Sequence, residues 1–185
     1  PLFTKPANLG SSVGVSKCQN SSDLYEGLME AARFDRRILI ERGINAREIE
    51  ISVLGNDDPV ASIPGEIQPE ADFYSYEAKW ILDTKENSFD VFDCPANLTK
   101  ELEELIISTA LSTYHILRCK DWSRIDLRLD NNGIPNIIEI NPLPGIMPDP
   151  NENSSFPKAA RAAGMNYNQL IQNALYSAAK RYDLV

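Results

Sequence analysis

The chain has 185 residues, of which 43% are hydrophobic and 24% charged, and its formal net charge is −9. That length supports one good-sized core or two small lobes. The acidic balance argues against a nucleic-acid or anionic-membrane partner, so an anionic ligand would need local cations or a metal.

The longest apolar runs are too short to span a membrane, and no signal peptide is visible. Cys18, Cys94 and Cys119 are an odd, scattered set without disulfide or metal spacing, which favours a reducing, cytoplasmic setting. The chain opens on Pro1-Leu2-Phe3 without a methionine, as if in mid-strand, so further sequence is expected upstream.

Leu2 to Lys5 reads as a strand ending at Pro6. The segment Ala7 to Val15 holds two glycines flanking Ser11 and Ser12, and reads as a hairpin loop. Such a loop can press backbone N–H groups and hydroxyls onto phosphate oxygens, with Lys5 as a nearby charge. It matches neither the P-loop nor the dinucleotide fingerprint, and an ordinary turn is the plainer alternative. Ser21 to Asp23 begin a helix whose expected buried stripe is Leu24, Leu28 and Ala31/Ala32.

Arg37 to Glu41 is a strand. Arg47 to Leu54 alternates, with Ile49, Ile51 and Val53 on one side and Glu48, Glu50 and Ser52 on the other. Asn56-Asp57-Asp58 turns the chain into a partner strand, Val60 to Ile63. Glu41 and Glu48 bracket a short connection, where a carboxylate can accept from an adenine amino group or ribose hydroxyls, although most strand-end glutamates are merely solvated. Pro64 to Glu70 is expected to be a loop. Ala71 to Trp80 is polar, aromatic-rich and aperiodic, and reads as a mobile loop carrying Lys79, with Tyr76 and Trp80 packing or closing over a site.

Thr99 is the expected N-cap of a helix with Leu102, Leu105, Ile106, Ala110, Leu111 and Leu117 on its apolar face. Its His115, the single histidine, has no serine or cysteine partner and is assigned a structural role. After the Pro142–Phe156 region, Lys158 to Ala163 is helical and Gly164 ends it. Asn166 or Asn168 caps a last helix carrying Tyr167, Leu170, Ile171, Ala174, Leu175 and Ala178.

The stretch Trp122 to Gly145 organises the rest. Asn132-Gly133 is a strong hairpin signal, since a type I′ turn needs two residues tolerant of positive φ. With Asn131 facing Ile134, Asp126 falls opposite Glu139 and Arg124 opposite Asn141. These four share one face, and Ile125, Leu127, Leu129, Ile138 and Ile140 share the other, which reads as core. Opposed carboxylates about 4 Å apart repel by about 4 kcal/mol at an effective dielectric near 20. A Mg²⁺ ion, which prefers carboxylate and amide oxygens completed by water and phosphate, offsets that best. Arg124 is a planar donor suited to a phosphoryl or oxyanion group. The alternative is a surface hairpin neutralised by Arg124 and Arg128.

Taken together, these segments resemble the D-alanine–D-alanine ligases of the ATP-grasp superfamily. The resemblance rests on Lys5 to Gly14, Arg47 to Glu50 with Val53-Leu54-Gly55, Pro64-Gly65-Glu66, Tyr74 to Lys79, Arg124-Ile125-Asp126, and Glu139-Ile140-Asn141 with Pro144-Gly145, in the family's order. It covers nearly the whole chain as the C-terminal portion, residues 1–185, without the family's N-terminal domain, which would supply a glutamate near the first substrate's amine and precede a further phosphate-contacting lysine. The implied fold is α+β, an ATP-grasp with two small lobes whose antiparallel sheets enclose a nucleotide site.

The resemblance implies that Lys5 contacts the α- and β-phosphates and that Ser11, Ser12 and Val13 lie over the phosphates, with Ser11 also in the catalytic set. Glu41, Arg42 and Ile44 would bind adenine, Glu48 the ribose, and Lys79 the γ-phosphate. Asp126, Glu139 and Asn141 would hold two Mg²⁺ ions, with Mn²⁺ able to substitute, and Arg124 and the Gly145 N–H would stabilise an oxyanion. The implied reaction joins two D-alanines through an acyl phosphate at the expense of ATP, for peptidoglycan precursors. Partners would be ATP and D-alanine rather than nucleic acid or membrane, and a homodimer is compatible with this. Two local departures bear on substrate preference. Trp80 stands where common ligases carry a tyrosine, and the loop between Gly145 and Pro157 is longer than usual, with Ser154 or Ser155 as the family's carboxylate-meeting serine. A related ligase with other amino-acid or peptide substrates, or an ATP-binding portion inactive alone, are the competing readings.

Overall fold

The computed structural model describes residues 1–69, 90–152 and 154–185. Among them are nine strands and four helices, in the order β1 (Leu2–Pro6), β2 (Ser16–Cys18), α1 (Ser21–Ala32), β3 (Ile38–Arg42), β4 (Ala46–Leu54), β5 (Val60–Ala61), β6 (Gly65–Pro69), β7 (Asp90–Asp93), α2 (Lys100–Ile116), β8 (Trp122–Asp130), β9 (Pro135–Asn141), α3 (Ser155–Ala162) and α4 (Tyr167–Arg181). The expected loop 71–80, with Tyr76, Lys79 and Trp80, lies outside the described residues. The chain divides into two units, Pro1–Asn45 with Pro69–Val91, and Ala46–Gln68 with Phe92–Val185.

In the first unit, a three-stranded antiparallel sheet runs β2-β1-β3, and α1 packs on β1 and β2. Asn20 caps α1, its side chain accepting from the Ser22 and Asp23 amides at 2.8 and 3.0 Å. The helix buries Gly27 and Ala31 rather than the expected Leu24 and Leu28, which are half-buried, or Ala32, which is exposed. Gly27 sits so close to Thr4 and Ser16 that a β-carbon there would collide, so a small residue sets the helix-to-sheet distance.

The second unit is built on a sheet of order β7-β6-β4-β8-β9, with β5 beside β4. Ile49, Ile51 and Val53 of β4 meet Ile125, Leu127 and Leu129 of β8 and Ile106, Ala110 and Tyr114 of α2 in one core. Each fully buried aliphatic chain there contributes about 1.5–3 kcal/mol. Period-2 alternation therefore places the core as expected. The α2 stripe is rotated, however: Leu105 and Leu117 are exposed, and Tyr114 is buried with its hydroxyl donating to the Gly55 carbonyl at 2.8 Å. Residues 65–69, expected in a loop, form β6 on the edge of β4, and Arg47 of β4 makes a bidentate pair with Glu66 there. The prolines at either end of that strand disguise it in the sequence.

Helix α3 starts at Ser155, two residues before Pro157 and three before the expected Lys158, because a proline in the first helical turn displaces no intrahelical bond. Gly164 follows at φ +84, and Asn166 with Gln169 forms a reciprocal capping box that starts α4. Leu170 and Ala174 are buried on α4, whereas Leu175 is exposed.

The turn between β8 and β9 differs from expectation. Asp130 faces Ile134 across a three-residue loop, Asn131 to Gly133, in which only Gly133 has positive φ (+75). The Asp130 carboxylate accepts from the Asn132 and Ile134 amides, holding the loop without a type I′ turn. Pairing beside the turn is thereby one residue out of the expected register, and Leu127 faces Ile137. A bulge at Ile138 restores it, so that Asp126 faces Glu139 and Arg124 faces Asn141. Ile138, expected in the core, is 44% exposed as a consequence.

Candidate functional site

In the first unit, the loop after β1 is two tight turns in succession. Ser11 and Ser12 both take left-handed φ, +56 and +60, and the Val13 amide donates to the Gly10 carbonyl at 3.2 Å, which is the geometry of a type I′ turn. Gly14, at φ +71, then lets the Val15 amide donate to the Ser12 carbonyl at 3.2 Å. Left-handed serines are uncommon, and such strain clusters where loops hold ligands. Lys5 lies at the base of this loop and pairs with Glu41 of β3 at 2.9 Å. Lys5 and Glu41, each singled out in the sequence, are thus neighbours, and Arg42 and Ile44 follow as exposed residues.

In the second unit, Arg124, Asp126, Glu139 and Asn141 come together on one face of β8 and β9, as the hairpin reading requires. Strand β4 adds two more acids to that face, with Glu50 opposite Asp126 and Glu48 opposite Arg128. Arg124 donates to both Asp126 oxygens at 2.7 Å, and its Nε lies 3.4 Å from Glu50 Oε1. Arg128 pairs with Glu48 at 2.6 Å, so it does not neutralise the hairpin carboxylates. Glu48, assigned to ribose, is thus held by a guanidinium on its own face.

Burial and charge crowd this face. Glu50 is 7% exposed, and its carboxyl is pushed up to about 7, first by burial and then by Asp126, with Arg124 opposing. Arg124 is held above its ordinary value: burial works against its charge, but the hydrogen bonds to Asp126 and the fields of Glu50, Asp126 and Glu139 outweigh it. The sequence by itself gives Glu50 no functional mark. Alternation puts it on the polar side of β4, yet nothing local marks that side as buried.

Four carboxylates, Glu48, Glu50, Asp126 and Glu139, share this face with two guanidiniums, Arg124 and Arg128. Even with Glu50 partly protonated near neutral pH the acids outnumber the guanidiniums, and a divalent cation would neutralise the excess. The donors are hard oxygens: the facing Asp126 and Glu139 carboxylates and the Asn141 amide, whose oxygen accepts from the Leu143 amide at 3.1 Å and keeps a second lone pair. Among the described residues no cluster of three or more His, Cys, Asp or Glu side chains forms a ready cation cage. The set fits an ion such as Mg²⁺ that keeps several waters and shares a phosphate, rather than one caged wholly by protein.

Beyond β9, Ser154 fixes the Gly145 turn. Its hydroxyl donates to the Gly145 carbonyl at 2.6 Å and accepts from the Met147 amide at 3.2 Å. Of the two serines in question, Ser154 shapes the turn and Ser155 faces Glu50. Lys79 lies outside the described residues.

A family model described as the D-ala D-ala ligase C-terminus matches residues 1–176. The D-alanine–D-alanine ligase of Clostridium acetobutylicum is 43% identical over 181 residues, covering 97% of this chain and 50% of that protein. That of Oceanobacillus iheyensis is 42% identical, covering 98% of this chain and 47% of that protein. The solved D-alanine–D-alanine ligase of Coxiella burnetii superposes with a TM-score of 0.82 at 28% identity, covering 98% of this chain and 46% of that one. The VanG D-Ala:D-Ser ligase of Enterococcus faecalis gives 0.80 at 26%, covering 95% and 48%. The chain spans about half the length of the curated relatives it matches.

Proposed function

Because the chain belongs to the D-alanine–D-alanine ligase family, as its C-terminal portion, we propose that it carries the ATP- and metal-holding half of a ligase that joins two D-alanines. The observation that carries this is the facing of Asp126 and Glu139, with Asn141 and Arg124 beside them, on a face with surplus negative charge. Two Mg²⁺ ions held by Asp126, Glu139 and Asn141 would screen the triphosphate and the carboxylate that it phosphorylates. Arg124 and the Gly145 N–H stabilise the oxyanion as the second amine attacks the acyl phosphate. Lys5 and Lys79 orient phosphates, Ser11, Ser12 and Val13 cover them, Glu41, Arg42 and Ile44 take the adenine, and Glu48 takes the ribose. Phosphoryl transfer needs positioned cations more than covalent help from the protein. Three unpaired thiols suit a reducing, cytoplasmic setting.

A second reading keeps the chemistry and changes the second substrate. It is favoured by Trp80, by the loop after Gly145, and by the likeness to a D-Ala:D-Ser ligase. Phosphate release from ATP over a panel of D-amino acids decides between them. D-alanine alone should support turnover under the first reading, and a preference for a mixed pair selects the second. Binding of Mg·ATP without phosphate release for any amino acid would assign the chain as an ATP-binding portion inactive alone.

A further inference from the structure

Arg124 is the centre of the polar face, with Asp126 and Glu50 close to its guanidinium and Glu139 adding its field. Asp126 takes it with both oxygens at 2.7 Å, and Glu50 Oε1 lies 3.4 Å from Nε. A divalent cation bound through the remaining lone pairs of Asp126 draws charge from its oxygens and repels the adjacent guanidinium, so it weakens the Asp126–Arg124 pair. The guanidinium then needs another anchor, because a buried arginine without one bears the full cost of desolvation.

Glu50 is placed for that role. It sits on the central strand β4, directly opposite Asp126 on β8 and opposite Gly65 on β6, which has no side chain to compete for it. Gly65 is held to that size by the Phe92 ring, which a β-carbon would overlap. The carboxyl is 7% exposed, and among the described residues its Oε2 makes no hydrogen bond of ordinary length. Asp126, Arg124, Glu48 and the Ser155 hydroxyl are the groups that face it. Of the other acids on this face, Glu48 lies 2.6 Å from Arg128 and Glu139 is exposed on the outer strand β9, which makes Glu50 the buried acid beside Arg124.

We propose that Glu50 is the positioning residue of Arg124, the acceptor that keeps the guanidinium on the polar face when Asp126 turns its oxygens to a divalent cation. The inference rests on the reading of Asp126 as a metal ligand. A shift of the guanidinium from one carboxylate to its neighbour leaves its charge near the reacting oxygens and frees Asp126 without an unpaired buried cation.

The test follows the Arg124 Nε–H by ¹H–¹⁵N NMR in the full chain, the signal being assigned by its loss in Arg124→Lys. Mg²⁺ and a non-hydrolysable ATP analogue are then added to wild type and to Glu50→Gln. In wild type the Nε–H should remain slow to exchange with water after addition. In Glu50→Gln it should be as slow as wild type before addition and exchange at least about tenfold faster afterwards. Glu50→Asp, which keeps the charge and loses reach, should fall between them. A signal that responds alike in wild type and Glu50→Gln overturns the positioning role. Failure of wild type to bind the Mg²⁺–nucleotide at all removes the metal reading instead, and this proposal with it.

Discussion

Asp126 lies directly opposite Glu139, although β8 and β9 leave their turn one residue out of the register that would place them so. The offset is cancelled at Ile138, which has no partner of its own in the ladder. Bulges re-aim side chains near functional sites, and here the bulge decides whether two carboxylates face each other or an acid faces an isoleucine. That difference determines whether Asp126 and Glu139 can share one ligand.

Asp126→Asn and Glu139→Gln should each abolish Mg²⁺-dependent nucleotide binding while the fold persists, since both replacements keep shape and remove a hard anionic ligand. Calorimetric titration with and without Mg²⁺ checks this. Unchanged nucleotide affinity in both variants would remove these residues from the metal site.

Gly65→Ala should be strongly destabilising, because the added methyl overlaps the Phe92 ring on the neighbouring strand. Overpacking of this kind costs about 1–3 kcal/mol or more. Combining it with Phe92→Leu should recover much of the loss in a denaturant melt. No recovery would place the strain in the β4–β6 backbone instead.

Ser154→Ala removes one hydroxyl that serves two backbone groups, the Gly145 carbonyl and the Met147 amide, in a residue that is 5% exposed. Leaving such groups unpaired should cost about 1–3 kcal/mol. Hydrogen exchange should rise at Met147. Full protection there would show that water or a neighbour replaces the hydroxyl.

Asp121 ties the start of β8 to the end of α4 through Arg181, at 2.6 Å, and accepts from Asn56 at 3.0 Å. The Arg181 hydrogen bonds hold its carboxyl below the ordinary 3.8 of an aspartate, against the opposing effect of burial. A depressed folded-state value contributes stability above the unfolded value and loses it as pH falls through the folded one. Wild type should therefore melt above Asp121→Asn at pH 7, with the gap closing below about pH 4. Asparagine is the suitable replacement because this position has φ +65, which it tolerates. A gap independent of pH would assign the effect to something other than charge.

Much of this molecule was legible in one dimension. Alternation from Arg47 to Leu54 and from Trp122 to Leu129 identified both central strands and their core sides, since a pleated strand presents every second residue to one face. Thr99 announced its helix and the pair Asn166/Asn168 the last one, of which Asn166 is the cap, because a cap satisfies its own neighbouring amides. The hairpin register and strand alternation put Arg124, Asp126, Glu139 and Asn141 on one face, and the structure gathers them there through a different turn.

Tertiary structure alone decided the rest. The three-residue turn and the bulge at Ile138 compensate each other, and no local pattern distinguishes that pair of irregularities from a regular hairpin. The strand at 65–69 exists because β4 offers it an edge, not because its own residues favour extension. Glu50 reads as one more polar residue until β8 brings Arg124 and Asp126 against it and the fold closes over its carboxyl. Local propensity acts through neighbours along the chain, whereas which acid meets which guanidinium depends on strands that are distant in sequence, and only the folded register settles that.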